Sequence, residues 1–113
     1  MIKRESVVEF FEKVKNEGDL DVSNELLWGF FFLDSSIEKL KKVGSKLSEV
    51  GFVFVDIFQA ENEDPNLGKE FYLHVEKIET HHVESLVKVN EVLYAIANEY
   101  ITEYDGFDAG AIR

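Results

Sequence analysis

The sequence contains no cysteine, so disulfide bonds, thiolate metal sites and cysteine nucleophiles are excluded. It has one proline, Pro65, and only two arginines, Arg4 and Arg113, at the two ends. No apolar run is long enough to span a bilayer, and the N-terminal residues lack the apolar stretch of a signal peptide. These absences predict a cytoplasmic protein that does not bind or cross a membrane.

Negative charge dominates the sequence. There are 12 basic and 23 acidic residues, which give a net charge of −11. Such a charge argues against nucleic acid or an anionic membrane as a direct partner. Residues 1–50 carry a net charge of −2 and residues 51–113 a net charge of −9, so the second half is predicted to form an acidic surface. Its partner would be a basic protein segment; the alternative is a surface that only keeps the protein soluble.

The most apolar stretch is Leu26–Leu33, and we expect the fold to be organised around it. With 113 residues and 45% hydrophobic residues, the chain predicts one domain, 1–113, around a single core. Leu26–Leu33 is apolar at both alternating positions, which is typical of a central strand covered on both faces, and we predict that strand over about residues 25–33. The aromatic residues and Gly29 favour a strand over a short buried helix.

Hydrophobic periodicity and helix-capping patterns divide the rest of the chain into six further elements. In order, these are a helix over residues 4–16, a helix from Ser35 to Val50, strands over 52–60 and 69–78, a helix from Thr80 or His81 to Asn98, and a strand over 100–107. Ser35 and Glu38 fit a capping box at the start of the second helix, and Gly51 fits the position after its end.

From residue 25 to about 108 the order of elements predicts an α+β, ferredoxin-like βαββαβ sandwich with a four-stranded antiparallel sheet. The helix at 4–16 is an addition to this plan. In the strand order 4-1-3-2 the first strand is central and Asp56 lies on an edge strand. With two helices on one face, half of Leu26–Leu33 would be bare. We expect the 4–16 helix, or a second copy of the chain in a homodimer, to cover that half.

Residues that could carry catalysis form no recognisable pattern. The glycines are scattered, so no phosphate-binding loop is indicated, and no serine lies in a nucleophile elbow. His81 and His82 are adjacent, so they do not form the i, i+4 pair of a zinc helix, and a solvent-exposed or capping role is expected. Acylphosphatases share the predicted fold class but act through an arginine in a phosphate-binding loop, which neither Arg4 nor Arg113 supplies.

Other charged groups also have structural explanations. A strand aspartate such as Asp56 suits a buried catalytic carboxylate, but an edge position explains it as well. The acidic turn with Glu61, Glu63 and Asp64 lacks the spacing of a calcium-binding EF-hand loop. A line of lysines on the second helix suits either an anion or a solvated helix face: Lys39, Lys42 and Lys46. We therefore predict no catalytic residue, no metal and no cofactor.

The segment Glu103-Tyr104-Asp105-Gly106-Phe107 contains an Asp-Gly turn signal between two aromatic residues. This ending, directly after a helix of this type, resembles the regulator of ribonuclease E activity B family, whose members are small, acidic, cytoplasmic proteins of ferredoxin-like fold. The resemblance implies a non-catalytic protein inhibitor. Its partner would be the C-terminal scaffold region of the ribonuclease, which carries arginine-rich RNA-binding segments, and its effect would be on RNA turnover.

The predicted partner-binding surface combines acidic residues with two aromatic anchors near the C-terminus. Its members are Glu99, Glu103, Tyr104, Asp105, Phe107 and Asp108. Tyr104 and Phe107 fit either an anchoring role or the core. A second group consists of Glu61, Glu63 and Asp64, and the sequence does not fix its position relative to the first. Two other functional classes stay open: a small-molecule-sensing or oligomeric ferredoxin-like module, and an enzyme with an unrecognised site.

Overall fold

A computed structural model of the chain describes residues 1–61, 64, 66 and 68–113. In chain order its elements are α1 (Arg4–Glu17), β1 (Leu26–Asp34), α2 (Ile37–Glu49), β2 (Val53–Gln59), β3 (Phe71–Glu79), α3 (Val83–Glu99) and β4 (Glu103–Gly110). The strands form one antiparallel sheet in the order β2-β3-β1-β4. This arrangement confirms the predicted α+β, ferredoxin-like fold, with β1 and β3 central and Asp56 on an edge strand.

The core lies between one face of the sheet and the helices. Trp28, Phe30 and Phe32 of β1 are fully buried on this face. They belong to one apolar cluster with residues of α2, β3 and α3, among them Leu40, Val43, Leu47, Leu73, Val75, Leu86 and Leu93. Because burying a large apolar side chain contributes about 1.5–3 kcal/mol, this cluster is the main favourable term in folding.

Helix α1 extends the helical layer and does not cover the other face of the sheet. Its Val7 is 1% exposed and belongs to the core cluster. The ring of Phe10 lies 5.7 Å from the ring of Trp28 and 5.0 Å from the ring of Phe107, measured between centroids. Since Trp28 points toward the helices, α1 lies on the same side as α2 and α3. The prediction that the 4–16 helix covers the bare half of β1 is therefore wrong.

The opposite face of the sheet is called the open face below, because no helix packs on it in the part of the chain that the structure describes. Strand pairing assigns alternate residues of every strand to it, and the hydrogen bond from the Tyr72 hydroxyl places the bulge residue Asp105 there as well. They are Leu27, Gly29, Phe31 and Leu33 on β1, Tyr72, His74, Glu76 and Ile78 on β3, Val53, Asp56 and Phe58 on β2, and Glu103, Asp105, Gly106 and Asp108 on β4.

Two β-bulges change which side chains reach the open face. In β2 the pairing with β3 skips Val55, so Phe54 contacts Gly44 of α2 while Phe58 contacts Tyr72 on the open face. Phe54 and Phe58 therefore lie on opposite faces of the sheet, although strict alternation would place them on the same face. In β4 the pairing with β1 skips Asp105, so the Asp-Gly pair forms a bulge inside the strand rather than the predicted turn.

Among the element boundaries that differ from the prediction, three have a local structural cause. The N-cap of α2 is Ser36, whose side chain accepts a hydrogen bond from the Lys39 amide, and not Ser35. The N-cap of α3 is His82, rather than Thr80 or His81. Strand β4 begins later than predicted because α3 continues to Glu99 and Ile101 adopts a φ of 55° in the following turn. The positive φ of Gly51, 98°, agrees with its predicted place after α2.

Neighbouring phenylalanines on β1 provide a test of the two faces. We expect Phe30→Ala to lower the free energy of unfolding by about 3–5 kcal/mol, because it leaves a cavity in the core. Phe31→Ala should cost clearly less, since the Phe31 side chain is only half-buried on the open face. Urea unfolding measures both values, and the loss of strand propensity is the same in the two variants. Equal losses would contradict the assignment of the faces.

Candidate partner-binding site

Three of the predicted acidic residues lie together on the open face. Glu103 pairs with Leu33 and Asp108 with Gly29, so both side chains project on the same side of β4. Asp105, the bulge residue between them, accepts a hydrogen bond from the Tyr72 hydroxyl at 3.1 Å. All three acids are exposed. Within the described residues, the carboxylates of Glu103 and Asp108 form no hydrogen bond or ion pair, so they remain available to an outside cation.

Glu61 and Asp64, the described members of the second acidic group, lie at the same end of the sheet as Glu103. The connection between β2 and β3 is closed by a hydrogen bond from the Ala60 amide to the Glu70 carbonyl, 2.9 Å long. The strand pairing places four strand ends at the same end of the sheet: the end of β2, the start of β3, the end of β1 and the start of β4. Glu61 and Asp64 are exposed in this connection, on the opposite edge from Glu103. Glu63, also predicted for the site, lies outside the described residues.

The two predicted aromatic anchors lie on the helical side of the sheet. Tyr104 is 3% exposed, and its hydroxyl donates a hydrogen bond to Oδ1 of Asn90 at 2.7 Å. Burial raises the pKa of Tyr104 well above its usual value. Phe107 is half-buried against Phe10 and Trp28. Of the two readings of these residues, the core is therefore the one that the structure supports, and neither is an anchor on the open face. Glu99 is exposed at the end of α3, in the helical layer.

A different group of rings occupies the open face. The ring of Phe31 stacks on that of His74 with centroids 4.5 Å apart and planes 14° from parallel. Tyr72 lies edge-on to Phe31 at 6.4 Å and contacts Phe58 at 5.7 Å. The pKa of Tyr72 is raised, mainly by partial burial and next by the hydrogen bond to Asp105. These four residues, Phe31, Phe58, Tyr72 and His74, are called the aromatic row below.

The sequence contained a signal for the aromatic row. In the first strand, alternation places Phe31 on the same face as Leu27 and Leu33. In the third strand, it places Tyr72 on the same face as His74. Alternation does not reveal which of two apolar faces meets the helices, however. Alternation also fails to predict the place of Phe58. The bulge at Val55 adds one residue to β2, so the residues after it point to the face opposite to the one that alternation predicts.

Gly29 allows polar side chains to meet across the centre of the open face. A Cβ atom at this position would lie 3.0 Å from Nε2 of His74 and still closer to the Asp108 carboxylate. Nε2 of His74 is buried, has no hydrogen-bond partner among the residues described, and lies 3.9 Å from the Glu76 carboxylate. Glu76 is 9% exposed and forms an ion pair with the Arg113 guanidinium. The centre of the open face therefore already accommodates one cationic group.

A serine, a histidine and a glutamate also lie in contact at the start of α3. Nδ1 of His81 is 2.9 Å from Oγ of Ser85, and Nε2 of His81 contacts the Glu79 carboxylate. The Ser85 hydroxyl accepts a hydrogen bond from the His82 amide, while the Ser85 amide donates to Nδ1 of His82. This capping box fulfils the expected capping role of the histidine pair. Because the hydroxyl holds the helix start and the His81 side chain is 5% exposed, the contact has a structural explanation.

Metal-ligating side chains do not converge elsewhere in residues 1–61, 64, 66 and 68–113. No group of three or more histidine or acidic side chains there is arranged to hold a metal ion. The expectation that the protein binds no metal stays a prediction. In the same residues, no helix combines the length and the apolar character needed to cross a bilayer.

Substitution of Gly29 tests the convergence of polar groups on the open face. We expect Gly29→Ala to displace the side chains of Asp108 and His74 and to lower stability by about 1–3 kcal/mol, as overpacking typically does. NMR spectra should show the largest shifts at these two residues. Gly106→Ala is the matched control, because a Cβ atom there meets nothing within 4 Å. Unchanged His74 and Asp108 resonances in Gly29→Ala would contradict the geometry.

Comparison with known proteins relates the chain to a family. A comparison with curated proteins found no match. The family model described as regulator of ribonuclease activity B matches residues 5–109, from α1 through nearly all of β4. The match confirms the resemblance first drawn from Glu103–Phe107, and it extends that resemblance to nearly the whole chain. The chain belongs to the regulator of ribonuclease activity B family.

Proposed function

We propose that this protein is a non-catalytic regulator that binds a basic segment of a ribonuclease, of the ribonuclease E type, and thereby changes RNA turnover. Family membership supports a regulatory role toward a ribonuclease. The observation that carries the finer proposal is the placement of Glu103, Asp105 and Asp108 on a sheet face that no helix covers. A face of this kind offers carboxylates and apolar surface together to one partner.

Electrostatic attraction provides a mechanism for regulation. A nuclease segment that binds RNA phosphates carries clustered positive charge, and the same charge is attracted to carboxylates. An exposed ion pair contributes only about 0.2–1 kcal/mol, so several pairs must form together. Glu61 and Asp64 lie at the same end of the sheet as Glu103, on the opposite edge, and would extend the acidic surface. By occupying the basic segment, the regulator would compete with RNA.

The proposal also includes the domain organisation of the protein, its location and the partners that it does not bind. We propose that residues 1–113 act as one domain in the cytoplasm, without direct contact to nucleic acid or membrane. The packing of Val7 into the common core supports one domain. The net charge of −11 supports the absence of anionic partners, because like charges repel.

A second copy of the chain is the competing occupant of the open face. Val53, Phe58 and Ile78 expose apolar surface there, with 63%, 41% and 48% of each side chain accessible. Packing two open faces together would also bring two sets of carboxylates into contact, which opposes association. We therefore favour the basic segment, and measurement of the molar mass in solution tests the homodimer.

One observation favours the alternative function, a small-molecule-sensing module. A cavity of about 620 Å³ lies between the N-terminal residues and α3, and it is lined by Ile2, Val7, Asn90 and Tyr94, among others. The Ile2 amide donates a hydrogen bond to the Tyr94 hydroxyl at 2.5 Å across this cavity. Nδ2 of Asn90 is buried without a hydrogen-bond partner in the described part of the chain. A ligand-induced shift of the melting temperature would support this alternative.

Charge reversal on β4 tests the regulatory proposal. We expect Glu103→Lys with Asp108→Lys to weaken binding of a basic ribonuclease segment at least tenfold, because two attractive contacts become repulsive. Thermal stability should change little, since both side chains are exposed and make no ion pair within the described residues. Isothermal titration calorimetry measures the affinity, and repeating it at higher salt should weaken the wild-type complex.

The matched control reverses two acids on the helical side. Glu9 and Glu12 of α1 are exposed, and changing both to lysine alters the net charge by the same amount. This control should retain most of the affinity. Binding that is indifferent to salt and to the β4 reversals would show that the acidic surface only confers solubility. Equal weakening by both double variants would show that net charge, and not this face, determines binding.

A further inference from the structure

The strand opposite Phe31 leaves a gap between acidic side chains. Phe31 pairs with Gly106, which has no side chain, and a Cβ atom on Gly106 would meet nothing within 4 Å. Along β4, Asp105 and Glu103 lie on one side of Gly106 and Asp108 lies on the other. The result is a slot on the open face with the Phe31 ring beside it and carboxylates at both ends. The slot is defined here by Phe31, Glu103, Asp105, Gly106 and Asp108.

Arginine fits this combination of groups better than lysine does. A guanidinium is planar, stacks on aromatic faces, and donates hydrogen bonds in a fork that matches carboxylates. A lysine ammonium is a compact, strongly hydrated charge, so it gains less from a ring and loses more on leaving water. The slot offers a ring and carboxylates on two sides of it, which are the groups that a guanidinium can use together.

The chain supplies its own example of a guanidinium on this face. Arg113 reaches back over the sheet and donates a hydrogen bond to the Glu76 carboxylate. Glu76 is 9% exposed, and a carboxylate buried to this degree is costly unless a cation pairs with it. Leu27, Val53 and Ile78 line the groove in which this pair forms. An arginine side chain therefore lies along apolar open-face surface while its charged group reaches a carboxylate.

We propose that the slot takes an arginine side chain from a basic segment of the partner, so that the open face selects arginine over lysine at equal charge. The inference rests on the proposed function, since it specifies the chemistry of the same partner. Glu103 and Asp108 provide the charge, while Phe31 provides the planar contact that distinguishes the two cations. Repulsion between carboxylates makes a second copy of the chain the poorer occupant of the slot.

The test compares two peptides that differ only in their cations. One is a short, arginine-rich peptide, and the other has every arginine replaced by lysine, so that length and charge are equal. Titration calorimetry with the full chain at physiological salt gives both affinities. We expect the arginine peptide to bind about tenfold more tightly, which corresponds to one good guanidinium–ring contact with its hydrogen bonds.

Two variants test whether the slot is the source of the preference for arginine over lysine. Gly106→Leu fills the slot and should reduce the affinity for the arginine peptide to that for the lysine peptide, because φ at Gly106 is not positive and a side chain is tolerated there. Phe31→Leu keeps an apolar side chain but removes the ring, and it should have the same effect. It serves as the independent test if Gly106→Leu does not fold, which melting curves establish.

The possible outcomes separate this inference from the function on which it rests. Equal affinities of the wild-type protein for the two peptides would overturn the arginine slot and leave the acidic docking surface intact. Selectivity that persists in both Gly106→Leu and Phe31→Leu would overturn the location of the slot. If neither peptide binds, the proposed function is overturned together with the slot.

Discussion

The structure depends on how one strand, apolar on both faces, is covered. All three helices lie on the side of β1 that carries Trp28, Phe30 and Phe32, and these side chains are fully buried. The side that carries Phe31 has no helix among the described elements. Large bare apolar areas are uncommon on monomers and usually mark an interaction surface. The distribution of helices therefore makes the open face the candidate interaction surface before any charge is considered.

The topology could be predicted because its signals are local. Alternating apolar residues, the helix caps and the apolar character of Leu26–Leu33 give the order of elements, and that order allows few arrangements of the sheet. The side on which α1 packs could not be predicted, since both faces of β1 are apolar. That choice is made by tertiary contacts, such as those of Phe10 with Trp28 and Phe107.

The candidate site shows the same limit in its side chains. Polar character was sufficient to place Glu103, Asp105 and Asp108 at the surface, but not to show that all three share the open face. Tyr104 was misleading because its burial depends on facing Phe32 across the β1–β4 pair, beyond the reach of a local pattern. Bulges add a further difficulty. One extra residue in a strand moves every residue after it to the face opposite to the one that alternation predicts.

Charge and apolar surface act together on the open face. An apolar centre alone would favour association of this chain with itself, particularly along the exposed edge strand β2. Carboxylates around the aromatic row oppose that pairing, because each copy carries the same negative charge. They do not oppose a cationic segment, which satisfies the carboxylates and covers the rings in one step. Under the proposed function, the acids that oppose self-association of the open face would also restrict it to a basic partner, so that solubility and specificity would come from the same side chains.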